Sequence, residues 1–545
     1  MFGKNHLKTL ELIGVEKSIL PCTIGQIDRC CLLKSNSSQL SKRCEPFVKD
    51  VIDEDTYGRR DKRLGEGTYG VIFKTSHNFA IKCGKKKHEE LRNSEIREVG
   101  VLRNLIHPNV ILIHQVSLIK TADCSLRIVL PYFKFSLRSI IFATHKVPQH
   151  DRILFGYQLL RAVAFIHSKS VLHRDIKPDN ILIDENQHLV LADFGLAQGC
   201  AVEGLKKTTN VVTVWYRAPE LLLNDETYGN AVDVWACGAT WLDMLNIDSL
   251  HSQNFETDQS GFEQLYRTFA FIEQPWEDAR FLPRFALYSK YAASLETLKQ
   301  KQLSREVKTA AQRLKDAKTN ENEQNLIVQL LALNPTRRIS AQSSLSYAVF
   351  DGVREQVENE LPAQPFVDSF SSLVATQLAP LKDYLPTYNL TRESIEATLK
   401  YLYDLSVFRH DHWSLFALAA SYFHRVLSAN MEKTAKLTLQ QIAIGCFMIS
   451  SKMDSNSHEF NAEEAHEFDS ATSESRYAAI EHDLLRSLDF DLDRPTCHSF
   501  WQITAFKPGK NQEMKRKSSQ LLVSMLQSYD SIKYWAEELS NMSWA

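Results

Sequence analysis

The sequence has no large excess of charge of one sign, no long apolar run and no closely paired cysteines. Its 545 residues include 64 basic and 66 acidic side chains, which gives a formal net charge of −2 at pH 7. Such a balanced charge provides no basic field for nucleic acid, so no nucleic acid is expected as a partner. The apolar runs, such as residues 442–449, fall short of the roughly 20 residues that span a bilayer, so no membrane partner is expected either.

The cysteines do not form a disulfide pattern. The chain has ten of them, no two separated by two residues, and the adjacent Cys30 and Cys31 cannot form an ordinary structural bridge. We interpret them as reduced thiols of an intracellular protein. The N-terminus also lacks the pattern of a secretory signal. Together these absences predict a location in the cytoplasm, the nucleus or both.

One pair of motifs carries the chemistry. Residues 173–180 read His-Arg-Asp-Ile-Lys-Pro-Asp-Asn, and an Asp-Phe-Gly triplet begins at Asp193. This pairing indicates phosphoryl transfer, in which a protein positions the nucleophile and neutralises charge on phosphate oxygens. Asp175 is placed to orient the proton of a substrate hydroxyl, and Lys177 suits a cation facing the phosphate, as expected for a Ser or Thr acceptor. Asn180 and Asp193 offer hard oxygen ligands, so they are predicted to bind Mg²⁺.

An upstream segment predicts the ATP site. Residues 64–73 have a strand pattern with three glycines, which let the backbone approach phosphates closely. A dinucleotide-binding fold has the same spacing but opens a helix after the third glycine, whereas a β-rich run follows here. Lys82 can hold the α and β phosphates, and Glu98 is its candidate partner on a helix. The other predicted ATP-binding residues are Leu64, Gly65, Gly67, Gly70, Ile72, Ala80, Leu130, Phe133 and Leu182.

Residues 58–350, which contain these motifs, resemble a cyclin-dependent kinase. The resemblance rests on Gly-Glu-Gly-Thr-Tyr-Gly at 65–70, Glu-Ile-Arg-Glu at 95–98 and the segment 211–220. It implies a two-lobed fold, ATP and Mg²⁺ as cofactors, and protein substrates modified at Ser or Thr before Pro. It also implies that Glu220 pairs with Arg338, and that a cyclin contacts Ile96 and positions its helix.

The same resemblance implies a phosphorylation switch. Three positions match regulatory sites of that family: Thr68, Tyr69 and Thr208. Phosphate on Thr208 would activate by bonding arginines, whereas phosphate in the glycine loop would place negative charge beside ATP. Arg97 and Arg174 match two of the three arginines of the phosphate pocket. The third position is the neutral Gln198, which predicts a weaker switch.

The chain is predicted to fold as an α+β, two-lobed kinase followed by an all-α domain. Apolar residues recur at helical spacing over about 391–406, 413–428, 437–452 and 474–488, and such helices bury their faces only as a bundle. Residues 299–324 are rich in Lys, Gln, Glu and Asn, which suggests a solvated helical insertion in the lower lobe, but the preferred interpretation is a plain charged helix face. The predicted segments are an N-terminal extension without an assigned role (1–57), the kinase domain (58–350), a linker (351–370), a cyclin-box-like domain (371–495) and a truncated helical end (496–545).

The helical part resembles a cyclin box. Residues 422–428, 447–452 and 480–492 are similar to the second, third and fifth helices of that fold. The resemblance implies that Lys452 and Glu481 grip the kinase helix that carries Ile96. His424 stands where cyclins commonly have an Asp, so a buried pairing with Arg392 is in doubt.

The favoured interpretation is a Ser/Thr kinase fused to its own cyclin-like activator, docked within one chain or between two chains of a reciprocal dimer. Two alternatives remain open from the sequence. One is a scaffold with a dead kinase lobe, against which the complete set of catalytic residues argues. The other is a kinase whose helical tail recruits separate partners.

Overall fold

The structure is a computed structural model. It describes most of the chain from residue 47 to residue 531. The described residues are 47–66, 70–84, 90–118, 126–199, 214–247, 261–272, 310–360, 390–409, 413–429, 436–454, 458–493 and 512–528, with single or paired residues at 297, 300, 381, 384–385, 411 and 531.

The upper lobe is a six-stranded sheet with one long helix against it. The strand order is β1-β5-β6-β4-β3-β2, and every pairing is antiparallel except the parallel pairing of β1 with β5. Its elements are β1 (Val48–Lys49), α1 (Glu54–Tyr57), β2 (Arg60–Glu66), β3 (Gly70–Thr75), β4 (Phe79–Gly84), α2 (Asn93–Leu102), β5 (Gln115–Leu118) and β6 (Leu126–Pro131).

The lobe begins earlier in the chain than residue 58. Phe47 is 4% exposed and Ile52 is 6% exposed, and Ile52 packs against Ile81, Cys83 and Val129 on the sheet. Burying such side chains favours the folded state by roughly 1.5–3 kcal/mol each. Residues 47–57, for which the sequence suggested no role, are therefore part of this lobe.

The lower lobe is mainly helical. Its central helix α4 is almost wholly buried, and the described part of the predicted insertion forms α8 and the start of α9. Arg338 donates two hydrogen bonds to Glu220, at 2.7 and 3.0 Å, so the pairing implied by the sequence is formed. The elements are β7 (Phe135–Ser136), α3 (Leu137–Thr144), α4 (Gln149–Ser168), β8 (Val171–Leu172), a 3-10 turn (Pro178–Asn180), β9 (Ile181–Ile183), β10 (Leu189–Leu191), β11 (Gln198–Gly199), a 3-10 turn (Val214–Tyr216), α5 (Pro219–Leu222), α6 (Ala231–Met244), α7 (Gly261–Phe271), α8 (Ala310–Asp316), α9 (Glu321–Leu330), α10 (Ala341–Ser344), a 3-10 turn (Ala348–Phe350) and α11 (Arg354–Glu360).

The C-terminal part is a helix bundle around one buried helix, which confirms the predicted all-α class. Its helices are α12 (Arg392–Phe408), α13 (Trp413–Ser428), α14 (Leu439–Met453), α15 (Ala462–Phe468), α16 (Glu474–Ser487) and α17 (Gln512–Leu526). Residues 442–452 of α14 are all buried, which explains why this helix has no polar face in the sequence. Within the described ranges, no helix is both long and apolar enough to cross a membrane.

Candidate active site and domain junction

The catalytic loop follows β8 and is anchored by one buried carboxylate. Asp233 accepts the main-chain N–H groups of His173 and Arg174, each at 2.9 Å, and a hydrogen bond from His167 at 2.9 Å. Burial acts to raise the pKa of Asp233, but these hydrogen bonds outweigh it and the pKa is lowered. Arg174 has a φ of 66°, a costly conformation that these bonds stabilise. The loop is therefore fixed before any substrate binds.

The two predicted catalytic residues lie together in this loop. Lys177 Nζ is 2.7 Å from Asp175 Oδ2, and Asn180 Nδ2 donates to the same oxygen at 2.9 Å and to the Asp175 carbonyl at 2.8 Å. Because both bonds use Nδ2, Oδ1 is the Asn180 atom that can ligate a cation. Asp175 is thus oriented as a hydrogen-bond acceptor with a cation beside it.

The Asp-Phe-Gly segment is turned toward the upper lobe. Phe194 is fully buried, and its ring packs edge to face on His173 with the ring centres 4.6 Å apart. Asp193 has a φ of 63°, and its Oδ1 lies 3.7 Å from Lys82 Nζ. The side chain of Asp193 keeps a third of its surface exposed, so its carboxylate remains accessible to a ligand.

The predicted lysine and glutamate of the upper lobe are joined. Lys82 on β4 donates to both carboxylate oxygens of Glu98 on α2, at 2.8 and 2.6 Å. Burial acts to lower the pKa of Lys82, but the charges of Glu98 and Asp193 outweigh it and the pKa is raised. Lys82 is therefore a largely buried cation between Glu98 and Asp193.

The donor set suits a magnesium ion that is shared with phosphates. Asn180 and Asp193 provide oxygen ligands, and Mg²⁺ commonly binds one or two carboxylates together with substrate phosphates. Among the described residues, no group of three His, Cys, Asp or Glu side chains could hold a metal without such help. These residues fit the predicted role.

The other predicted ATP residues that the structure describes lie on strands β2, β3, β4, β6 and β9 or just after β6. Ala80 is buried, whereas the side chains of Ile72, Leu130, Phe133 and Leu182 are half-buried. Half-burial suits side chains that cover a ligand on one side. Leu64 and Gly65 are exposed on β2, and Gly70 begins β3. Gly67, Thr68 and Tyr69 lie outside the described residues, as does Thr208.

The two predicted phosphate-pocket arginines are close in space. Burial and the charge of Arg174 lower the pKa of Arg97 to about 10. Arg174 donates to Gln198 Oε1 at 2.6 Å and to the Leu196 carbonyl at 2.8 Å. The residue that stands in place of a third arginine is thus a hydrogen-bond acceptor for one of the other two.

The C-terminal bundle binds the residues that lead into α2. Lys452 Nζ donates to the Leu91 carbonyl at 3.0 Å, to Glu90 at 2.8 Å and to Glu481 at 2.7 Å. Glu481 Oε2 accepts the Leu91 N–H at 3.0 Å. Burial acts to lower the pKa of Lys452, but the charges of Glu481 and Glu90 outweigh it and the pKa is raised. Both predicted interface residues therefore contact the kinase backbone, and Ile96 lies fully buried one turn further on.

A large cavity opens beside this grip. It has a volume of about 1010 Å³ and lies between the start of α2, the segment after Asp193 and the helices α15 and α16. Arg97 faces it from the kinase side, and His466 faces it from the bundle.

A second set of contacts between the two domains was not predicted. Arg103 at the end of α2 donates to the carboxylate of Asp489 at 2.5 Å and to its carbonyl at 2.7 Å. Asn104 donates to Asp491 at 3.0 Å. In the sequence these acids resemble ordinary solvated residues after a helix, and no pattern marked them.

His424 does not pair with Arg392, in line with the doubt raised by the sequence. It is buried, and its Nδ1 shares a hydrogen bond of 2.8 Å with the hydroxyl of Tyr384. Burial lowers the pKa of His424 to about 4, so the ring is neutral at pH 7. Arg392 is exposed at the first position of α12.

The catalytic loop, the lysine–glutamate pair and the gripped helix define a protein kinase joined to a cyclin-like domain. The family model described as "protein kinase domain" matches residues 58–350, more than half of the chain. The model described as "cyclin, N-terminal domain" matches residues 369–493. The chain belongs to the protein kinase family and carries a cyclin domain at its C-terminal side.

Proposed function

We propose that this chain is a Ser/Thr protein kinase of the cyclin-dependent type, activated by its own cyclin domain. It transfers the γ-phosphate of ATP, with Mg²⁺, to Ser or Thr before Pro in protein substrates. One observation carries the proposal: Lys82 on β4 bonds Glu98 on α2, and Lys452 and Glu481 bind the residue Leu91, just before that same helix.

The chemistry follows from the residues of the lower lobe. Asp175 orients the substrate hydroxyl and receives its proton, and Lys177 stabilises negative charge on the phosphate during transfer. Asn180 and Asp193 would hold the magnesium ion, which would neutralise charge on the ATP phosphates. Lys82 positions the α and β phosphates. The cation beside Asp175, at 2.7 Å, supports an alcohol of Ser or Thr as the acceptor.

Activation is a matter of differential binding. The cyclin domain favours the position of α2 in which Glu98 meets Lys82, and its effect is limited by its preference for that position. Because the two domains share a chain, docking within it occurs at an effective concentration that can reach about a millimolar. An interface of modest affinity is then sufficient to keep the two domains docked.

The remaining parts of the proposal rest on the sequence. Phosphate on Thr208 raises activity, and phosphate on Thr68 or Tyr69 lowers it. By the resemblance to cyclin-dependent kinases, Val212 and Arg217 shape the pocket that favours proline after the acceptor. The protein acts in the cytoplasm, the nucleus or both.

The catalytic assignment is tested by two substitutions in the full chain. Asp175→Asn and Asp193→Asn should each reduce Mg-ATP-dependent phosphorylation of Ser-Pro and Thr-Pro peptides by about a hundredfold or more, with unchanged thermal unfolding. Asp179→Asn, at a half-exposed acid of the same loop, is the matched control. Peptides with Ala in place of Pro test the sequence preference. Undiminished turnover in either catalytic variant would refute the assignment.

A further inference from the structure

Residues 47–52, here called the N-terminal clamp, add a strand to an edge of the upper-lobe sheet. The Phe47 carbonyl accepts the N–H of Val116 at 3.1 Å, and Ser117 donates to the Asp50 carbonyl at 3.0 Å. The guanidinium of Arg103 lies over the Phe47 ring, 5.0 Å from its centre. The clamp is thus held against β5 and the end of α2, next to the cyclin domain.

One acid of the cyclin domain contacts both the clamp and the kinase helix. Asp489 Oδ1 accepts the main-chain N–H of Val48 at 3.1 Å, while Oδ2 and the Asp489 carbonyl accept the two bonds from Arg103. Asp489 and Phe490 have φ values of 49° and 52°, a left-handed turn that ends α16. Asp tolerates this conformation better than most residues, so the turn can present its carboxylate to the kinase.

Two neighbouring contacts extend the same surface. Arg486 donates to the Leu118 carbonyl at 2.7 Å and lies 3.0 Å from the Asp50 carboxylate. Asn104 donates to Asp491. In these contacts, polar groups of the kinase side meet partners of complementary charge or dipole on the last turn of α16 and the turn after it. Binding at this surface therefore depends on individual side chains of the cyclin domain as well as on its fold.

We propose that the N-terminal clamp, with Arg103 and Asn104, is a second docking surface that selects a cyclin domain carrying an acid at position 489. A cyclin without that acid leaves the Val48 N–H without this acceptor and the half-buried Arg103 with only the main-chain carbonyl of the turn, which penalises the wrong partner. The fused domain is then the preferred activator of this kinase lobe. Activation by this domain rests on the proposed function, whereas docking itself needs no catalysis.

The test removes the acid without straining the backbone. In the full chain, Asp489→Gly deletes the carboxylate, and glycine accepts a positive φ freely. The readout is hydrogen exchange of the Leu91 amide, which bonds Glu481 at the other anchor and so reports release of the whole domain. We expect exchange at Leu91 to become roughly tenfold faster or more. Phosphorylation of a Ser-Pro peptide should fall in the same variant.

A second variant approaches the same contact from the kinase side. Val48→Pro removes the N–H that Asp489 accepts and keeps the carbonyl, and an edge strand tolerates proline. Exchange at Leu91 should rise by a few-fold, less than in Asp489→Gly. Asp404→Ala is the control, because Asp404 is an exposed acid of the cyclin domain that pairs with Lys400 on its own helix. Its exchange at Leu91 should match that of the wild type.

The outcomes separate the two proposals. Unchanged exchange at Leu91 in both Asp489→Gly and Val48→Pro would overturn the second docking surface. If the wild-type chain transfers no phosphate but exchange at Leu91 responds as expected, the surface stands and the proposed function fails.

Discussion

At the scale of single residues, two lysines with little or no exposed surface form ion pairs on either side of the start of α2. Lys82 joins β4 to α2 inside the kinase domain, and Lys452 joins the cyclin domain to the segment before α2. Removing one partner of such a buried pair leaves a charge uncompensated and costs about 3–5 kcal/mol. The exposed pair of Lys400 and Asp404, in contrast, contributes about 1 kcal/mol or less. Substituting Lys82 or Lys452 should therefore cost more free energy than substituting Lys400 or Asp404.

The buried His424 predicts how the stability of the cyclin domain depends on pH. Its pKa is about 4 in the folded chain, below the ordinary value of 6.5, so the folded state binds fewer protons than the unfolded state. Stability is then full above pH 6.5 and falls as the pH drops from 6.5 toward 4. The loss from this residue approaches about 1.4 kcal/mol per pH unit.

Hydrogen exchange of slowly exchanging amides in α13 and α14 measures this loss, after correction for the intrinsic pH dependence of exchange. His424→Leu should make their opening free energy less dependent on pH between 6.5 and 5. His150→Leu, at an exposed position in α4, controls for the loss of a histidine. An equal pH dependence in wild type and His424→Leu would contradict the prediction.

At the scale of elements, α2 is the helix that the two domains share. Its first turn follows the gripped Leu91, its middle carries Glu98, and its end meets the turn after α16. A Cβ atom added to Gly100 would lie 3.2 Å from both Met453 Sδ and Leu492 Cβ, so this position allows the close approach of the cyclin domain. The spacing between α2 and the bundle therefore depends on the absence of a side chain there.

A graded series at Gly100 tests this spacing. Gly100→Ala forces its neighbours to shift by a few tenths of an ångström and should lower peptide phosphorylation modestly. Gly100→Leu should lower it at least about tenfold, because the larger side chain displaces the cyclin domain. Neither residue harms helix propensity, since both exceed glycine by up to about 1 kcal/mol. Full activity of Gly100→Leu would show that α2 needs no such contact.

Elements with a repeating pattern could be predicted from the sequence, and those without one could not. Apolar spacing marked α12, α13, α14 and α16 to within a few residues. The helix α15 is short and rich in acids, and β1 has two residues, so neither presents a readable period. The position of β1 depends on the edge of β5, more than sixty residues later, and a strand of this kind is fixed by its neighbours.

The same distinction applies to the candidate site: contacts between motif residues could be predicted, and contacts set by packing could not. Asp175, Asn180, Asp193, Lys82 and Glu98 stand in motifs whose spacing fixes their geometry, so their meeting could be foreseen. The contacts of Asp489 depend on a left-handed turn and on the N-terminal clamp. Tyr384 became the partner of His424 through the packing of the bundle, which no local pattern encodes.

At the scale of the whole molecule, the described arrangement places the kinase domain and the cyclin domain in contact within one chain. If docking occurs within the chain in solution, specific activity should stay constant as the protein is diluted, because docking is then unimolecular. Docking between two chains would make specific activity fall on dilution. Phosphorylation of a Ser-Pro peptide across a wide range of enzyme concentration, with light scattering as a check on mass, separates the two arrangements.

A charge exchange tests whether the fused domain activates. Lys452→Glu combined with Glu481→Lys keeps the pair inside the cyclin domain but reverses it toward the kinase, so the Leu91 carbonyl loses its donor and the Leu91 N–H its acceptor. Activity should fall by about a hundredfold, and exchange at Leu91 should accelerate. Wild-type activity in this double variant would rule out activation by the fused domain.

The covalent link between the two domains fixes their ratio. If the fused domain activates the kinase domain as proposed, a cell that makes this chain makes one activator for every kinase domain. Synthesis and degradation then change the amounts of both domains by the same factor. The timing of the proposed activity would be set by changes to the assembled chain or by its lifetime.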